Sequence, residues 1–127
     1  MLLIGESLNV ISTKIGAAYK ARDPKPIQEE ALFQKEKGMD YIDINLGPAK
    51  KDGHELMPWV VETVQEVVPD VPLALDTSNI DAIEAALKVY KPTPQPPLIN
   101  SIMVRPERYE RMVPLAVEHD ADFIALM

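Results

Sequence analysis

With 127 residues the chain can bury one modest hydrophobic core, and its 46% hydrophobic and 26% charged residues are those of an ordinary globular protein. It has no cysteine, which excludes disulfides, zinc–thiolate sites, cysteine-ligated iron–sulfur clusters and a cysteine nucleophile. A net charge of −7 argues against nucleic acid as a partner, no apolar run approaches the roughly 18 residues of a membrane helix, and the start Met1-Leu2-Leu3-Ile4-Gly5-Glu6 lacks the basic flank of a secretion signal. A cytoplasmic protein free of the membrane is expected.

The first element is an apolar run at residues 2–8, too short for a helix. Similar runs follow at 41–46, 73–75, 98–99 and 123–127. Continuous rather than alternating apolar character predicts strands buried on both faces, as in parallel sheets. Helical patterns lie between them. Residues 27–37 follow Asp23-Pro24-Lys25-Pro26 and stop at Gly38, a start and an end that suit a helix. Residues 55–68 place Leu56, Val60, Val64 and Val67 on one stripe, with Pro58 in the first turn and Trp59 as an anchor on the outer wall. Residues 80–90 carry Ile80, Ile83 and Leu87 at helical spacing, with Ser78 as the expected cap. Residues 107–119 put Tyr109, Met112, Val113, Ala116 and Val117 inward, and Pro114 is expected to kink or divide that helix. Between the last two helices, residues 91–97 hold four of the twelve prolines and read as an extended surface loop.

The order is β-α-β-α-β-α-β-α-β within one domain, which implies an α/β fold with parallel strands and right-handed crossovers. Two architectures fit. A doubly wound sheet is complete at about this length, whereas a (β/α)₈ barrel needs roughly 250 residues. Against the doubly wound reading, no glycine-rich turn follows the first strand, and the sequence stops at a fifth strand with no helix after it.

The ends of the strands carry the chemistry. Strand 1 runs into Glu6, Ser7 and Asn9; strand 2 carries Asp43 and Asn45 before Gly47-Pro48; strand 3 runs into Asp76, Thr77, Ser78 and Asn79; strand 4 ends in Asn100 and Ser101. Ligands of parallel α/β folds bind at these ends. The same residue types cap helices, and Ser78 and Asn79 fit that role. Asp76 and Asn100 directly follow apolar strands and precede any plausible cap, so a ligand role suits them better. A carboxylate accepts two parallel hydrogen bonds, and an amide offers one donor group and one acceptor. Together they suit the edge of a flat, nitrogen-rich ring and would repel or ignore a phosphate. His54 and His119 lack any triad context, and Asp40, Asp43 and Glu6 match no metal-ligand spacing, so no metal is expected. Lys50, Lys51, Arg105 and Arg108 lie near loops on the same side, where they would meet an anionic tail on a ligand or remain solvated.

Ile4-Gly5-Glu6-Ser7-Leu8-Asn9, Asp43-Ile44-Asn45-Leu46-Gly47-Pro48-Ala49, Leu75-Asp76-Thr77-Ser78-Asn79 and Ile99-Asn100-Ser101, in that order, resemble the pterin-binding superfamily. That superfamily also contains dihydropteroate synthase and the folate domain of cobalamin-dependent methionine synthase. The second and fourth motifs are most similar to the methyltetrahydrofolate:corrinoid methyltransferases. The resemblance spans residues 1–127 and implies the N-terminal half of a TIM (β/α)₈ barrel, about five strands and four helices, ending near strand 5. It implies transfer of the N5 methyl of methyltetrahydrofolate to a Co(I) corrinoid (cobalamin) on a partner protein, within one-carbon metabolism. Asp76 and Asn100 match pterin-contacting positions, and Asn45, Glu6 and Ser101 line the same cavity. The family's catalytic residues are expected beyond Met127, so this stretch alone is expected to be inactive. The family also suggests a homodimer. Ser7 departs from the motif, where an arginine is usual. A dihydropteroate synthase-like enzyme and a non-catalytic folate-binding module are the alternatives.

Overall fold

The computed structural model describes residues 1–127. Its elements are β1 (Ile4–Asn9), α1 (Thr13–Ala21), α2 (Pro24–Glu36), β2 (Tyr41–Gly47), α3 (Gly53–Val67), β3 (Leu73–Thr77), α4 (Ile80–Val89), β4 (Leu98–Met103), α5 (Pro106–Glu118) and β5 (Asp122–Leu126). All strands pair in parallel, in the order β1-β2-β3-β4-β5. A doubly wound sheet reverses its strand order part-way, and this one does not. Successive helices pack on one another, α1 on α2, α2 on α3, α3 on α4 and α4 on α5. The result is an α/β fold, a five-stranded arc of a (β/α) barrel. No helix is long and apolar enough to cross a membrane.

Alternation along the strands separates the two faces of the sheet. Ile42, Ile44, Leu46, Leu73, Leu75 and Ile99 meet the helices in a core of 27 buried residues. On the other face Tyr41, Ala74, Leu98 and Ile4 form a small apolar floor. Above that floor the same face turns polar, with Asp43, Asn45, Asp76 and Asn100. The expectation of strands apolar on both faces therefore holds only for the floor. The sheet also curls. Asn100 on β4 reaches across β3 to Asp43 on β2 at 3.0 Å, although strands two apart in a flat sheet lie about 9.6 Å apart. Ala74, in register with both Asp43 and Leu98, leaves room for that contact.

The structure departs from the sequence reading at several elements. Helix α1 was not expected. It buries only Ile15, Ala18 and Tyr19, too few for a clear stripe, yet Ser12 caps its start and Arg22 ends it in the left-handed region at φ 54°. Its Tyr19 hydroxyl donates to the Leu8 carbonyl at 2.7 Å, fastening the helix beneath β1. Helix α2 begins at Pro24 rather than residue 27, because Asp23 accepts from the Lys25 N–H and proline costs nothing in a first turn. Of the two residues expected to cap α4, Ser78 and Asn79, it is Asn79 that does so: its side chain accepts from the N–H groups of Asp81 and Ala82. Pro114 does not divide α5. It is exposed, and the Glu110 carbonyl it leaves unpaired belongs to an exposed residue that water can serve. Trp59 packs part-buried against the core with the Arg22 guanidinium 5.6 Å from its ring. The proline loop is extended as expected, clamped by Gln65, which donates to the Lys91 carbonyl and accepts from its N–H at 2.9 Å each. Every residue of β5 is exposed, including Phe123, Ile124 and Leu126.

Candidate functional site

Asn45, Asp76 and Asn100 are register partners on β2, β3 and β4, so their side chains leave the concave face side by side. The Asn45 amide is held at both ends: its Nδ2 donates to Asp76 Oδ2 at 2.8 Å, and its Oδ1 accepts from the Gly47 N–H at 2.8 Å, which leaves one N–H unclaimed. Asn45 thereby orients Asp76. Asn100 points its Nδ2 at Asp43 Oδ2, which leaves its Oδ1 and one N–H unclaimed. Asp76, Asn100 and Ser101 line one cavity of about 160 Å³, together with Thr77, Ser78 and Arg108, and with Ile102 and Met112 on its apolar side. Three of the five residues singled out in the sequence thus share a cavity. Asn45 lies outside the cavity wall and is linked to it by its hydrogen bond to Asp76. Glu6 is exposed and outside the cavity wall, but its charge reaches both Asp43 and Asp76.

Electrostatics set these carboxyls apart from the surface ones. Asp43 is 1% exposed, and burial pushes its carboxyl from the usual 3.8 up to about 7. The Asn100 hydrogen bond opposes that shift, while the charges of Asp76 and Glu6 add to it. The Asp76 carboxyl is also raised, first by burial and then by Glu6, against the hydrogen bond from Asn45. Burial likewise raises the Tyr19 hydroxyl, with a contribution from the charge of Asp43. Polar groups held above their ordinary ionisation range are a mark of ligand sites.

Asp43, which the sequence places at the end of strand 2 and in the second motif, was not carried into the set of ring-binding residues. The structure places no group of three or more His, Cys, Asp or Glu side chains where they could hold a metal ion. Asp40 instead accepts from the Leu3 N–H at 2.8 Å. A signal for Asp43 did exist: it stands two residues before Asn45, and period-two alternation puts both on one face.

The loops around the cavity are tied together. Thr77 Oγ1 donates to the Gly47 carbonyl at 2.6 Å, and Asn79 Nδ2 donates to the Ala49 carbonyl at 2.8 Å. Gly53 sits so close that a Cβ there would lie 2.8 Å from Asn79 Nδ2 and 2.9 Å from the Ala49 methyl. Asn79→Ala removes both the helix cap and this tie, and is expected to cost about 1–2 kcal/mol, read as a lowered Tm in thermal denaturation. A Tm within a degree of the parent would contradict that role.

A sequence profile described as pterin binding enzyme matches residues 5–127. The chain belongs to the pterin-binding enzyme family. It is also 30% identical over 120 residues to a methylcorrinoid:tetrahydrofolate methyltransferase of Eubacterium limosum, a match covering 94% of this chain and 43% of that protein. The pterin-binding chain thus spans less than half the length of this relative.

Proposed function

We propose that this pterin-binding chain grips the ring of a tetrahydrofolate and forms part of a methyltransferase moving a methyl group between folate N5 and the cobalt of a corrinoid carried by a separate protein. The observation that carries the reading is the shared cavity of Asp76 and Asn100. Both line it, and each is held at one atom, Asp76 Oδ2 by Asn45 and Asn100 Nδ2 by Asp43, with its Oδ1 in no hydrogen bond. A pterin presents an amino group and a ring N–H side by side, and the Asp76 carboxylate can accept both. Asn100 then meets the ring's mixed donor and acceptor edge. Such fixed groups hold the methyl-bearing nitrogen in one orientation for in-line transfer.

The corrinoid supplies a cobalt nucleophile or leaving group when its protein docks; the residues of this chain bind, orient and exclude water. The relative's name runs from methylcorrinoid to tetrahydrofolate, opposite to the direction taken from sequence resemblance. Both directions share one transition state, so the same ring-holding residues serve either.

Calorimetric titration tests the reading. Methyltetrahydrofolate should bind saturably with a Kd of about 1–100 μM, and more tightly than 6-hydroxymethyl-dihydropterin pyrophosphate, which a dihydropteroate synthase-like site would prefer. Preference for the pyrophosphate would overturn the methyltransferase assignment, and no binding of either would overturn the pterin reading.

A further inference from the structure

The ring cavity shares a wall with a second, more open cavity of about 420 Å³. Ser78 and Arg108 line both. The second cavity gathers four cations, Lys50, Lys51, Arg108 and Arg111, against a single carboxylate, Asp81, in a chain whose net charge is −7. Arg111 is already paired with Asp81 at 3.0 Å, whereas Lys50, Lys51 and Arg108 have no carboxylate within ion-pair distance. Arg108 instead donates to the Ser78 carbonyl, which holds it at the boundary between the two cavities.

The groove is built rather than incidental. Lys50 and Lys51 stand on the β2–α3 loop, whose left-handed residues Gly47 (φ 62°) and Ala49 (φ 41°) turn the chain outward. Thr77 and Asn79 tie that loop to the end of β3. The backbone that carries Lys50 and Lys51 is therefore fixed beside the ring cavity. Only one residue lining the groove is hydrophobic, which suits a charged, flexible ligand and not an apolar one.

We propose that this groove holds a polycarboxylate tail, the oligo-γ-glutamyl chain of a folate whose pterin ring occupies the neighbouring cavity; the inference rests on the pterin reading of that cavity. Once the ring is bound, its tail carboxylates are confined near the cations at high effective concentration, so modest ion pairs add measurable affinity. A lone phosphate gains no such tether.

The test compares three ligands by equilibrium titration of the chain and of the double variant Lys50→Gln/Lys51→Gln, both positions being exposed. The ligands are methyltetrahydrofolate with one glutamyl residue, its oligo-γ-glutamyl form, and tail-less 6-hydroxymethylpterin. At low ionic strength the oligoglutamyl form should bind about tenfold tighter than the monoglutamyl form. That advantage should vanish in the variant and when salt shortens the screening length to about 4 Å, while the tail-less pterin binds parent and variant alike. Equal affinity for both folates in the parent, or an advantage that survives in the variant, would overturn the tail site while leaving the ring site standing. Free oligo-γ-glutamate binding as tightly as the oligoglutamyl folate would assign the groove to an acidic protein segment instead. Failure of all three ligands to bind would remove the ring site and the tail site together.

Discussion

Asp76→Asn is expected to weaken methyltetrahydrofolate binding about 100-fold without lowering the stability of the fold. The Asn45 Nδ2 that now donates to Asp76 at 2.8 Å dictates how a replacement amide would sit. Its oxygen would turn toward Asn45, and its NH₂ would enter the cavity. A donor would then face the amino and N–H donors of the ring, and the charge that strengthens both contacts would be gone. Loss of a charge-assisted pair, plus an opposed donor, amounts to about 3 kcal/mol. Stability should hold or rise slightly, because Asp76 is raised by burial and by Glu6, and both penalties fall on its charged form. Calorimetry with methyltetrahydrofolate reads the affinity, and thermal denaturation reads the fold. Affinity within threefold of the parent would remove Asp76 from the ring site.

The second large effect belongs to Asp43 and is a pH dependence. Its carboxyl ionises near 7 in the folded chain and at the ordinary 3.8 when unfolded. Between those values the folded state holds the proton more tightly than the unfolded chain. Stability from this group is thus fully present below pH 4, falls as pH rises, and levels off above about pH 7. The total loss is on the order of 4 kcal/mol, with a slope of at most about 1.4 kcal/mol per pH unit. Asp43→Asn has no charge to desolvate, and its amide oxygen can still accept from Asn100. It should therefore be more stable than the parent at pH 8 and no more stable at pH 4. Asp43→Ala should be destabilised by about 2 kcal/mol at pH 4, since it leaves the Asn100 amide without its partner and opens a gap beside Ala74, and that deficit should shrink or reverse by pH 8 as the parent carboxyl ionises. Denaturant unfolding of the three chains from pH 4 to 8 decides the matter. Parallel curves for parent and Asp43→Asn would show that the Asp43 carboxyl ionises normally.

Much of this site could be read in the sequence because strand ends announce themselves. Asp76 and Asn100 each follow a short apolar run at once, and a polar residue in that place needs a partner or a ligand. Ser101 came with them. The strands themselves were legible from Ile, Leu and aromatic runs, and α3 from an unbroken stripe of Leu56, Val60 and Val64. Helix α1 escaped because only Ile15, Ala18 and Tyr19 bury, too short a stripe to stand out in sequence, and the bond from Tyr19 to the Leu8 carbonyl that fastens it joins it to a strand. The division of labour among the polar residues escaped as well. In sequence Asn45 and Asn100 look alike, and only the structure shows that Asn45 holds Asp76 while Asn100 holds Asp43.

By itself the sequence determined the local periods: which stretches extend, which coil into helices, and which polar residues stand at the carboxyl ends of strands. Those properties follow from neighbours along the chain, where side-chain alternation and helix spacing act. The choice between a doubly wound sheet and a barrel arc depended on the order in which distant strands pair, and β1-β2-β3-β4-β5 settled it. Pairing order is a sum of contacts between residues far apart in sequence, and short-range patterns do not encode it. Curvature decided the rest. It brings Asp43 and Asn100, 57 positions apart, within one hydrogen bond, and buries a carboxylate that alternation alone would have left on an open face.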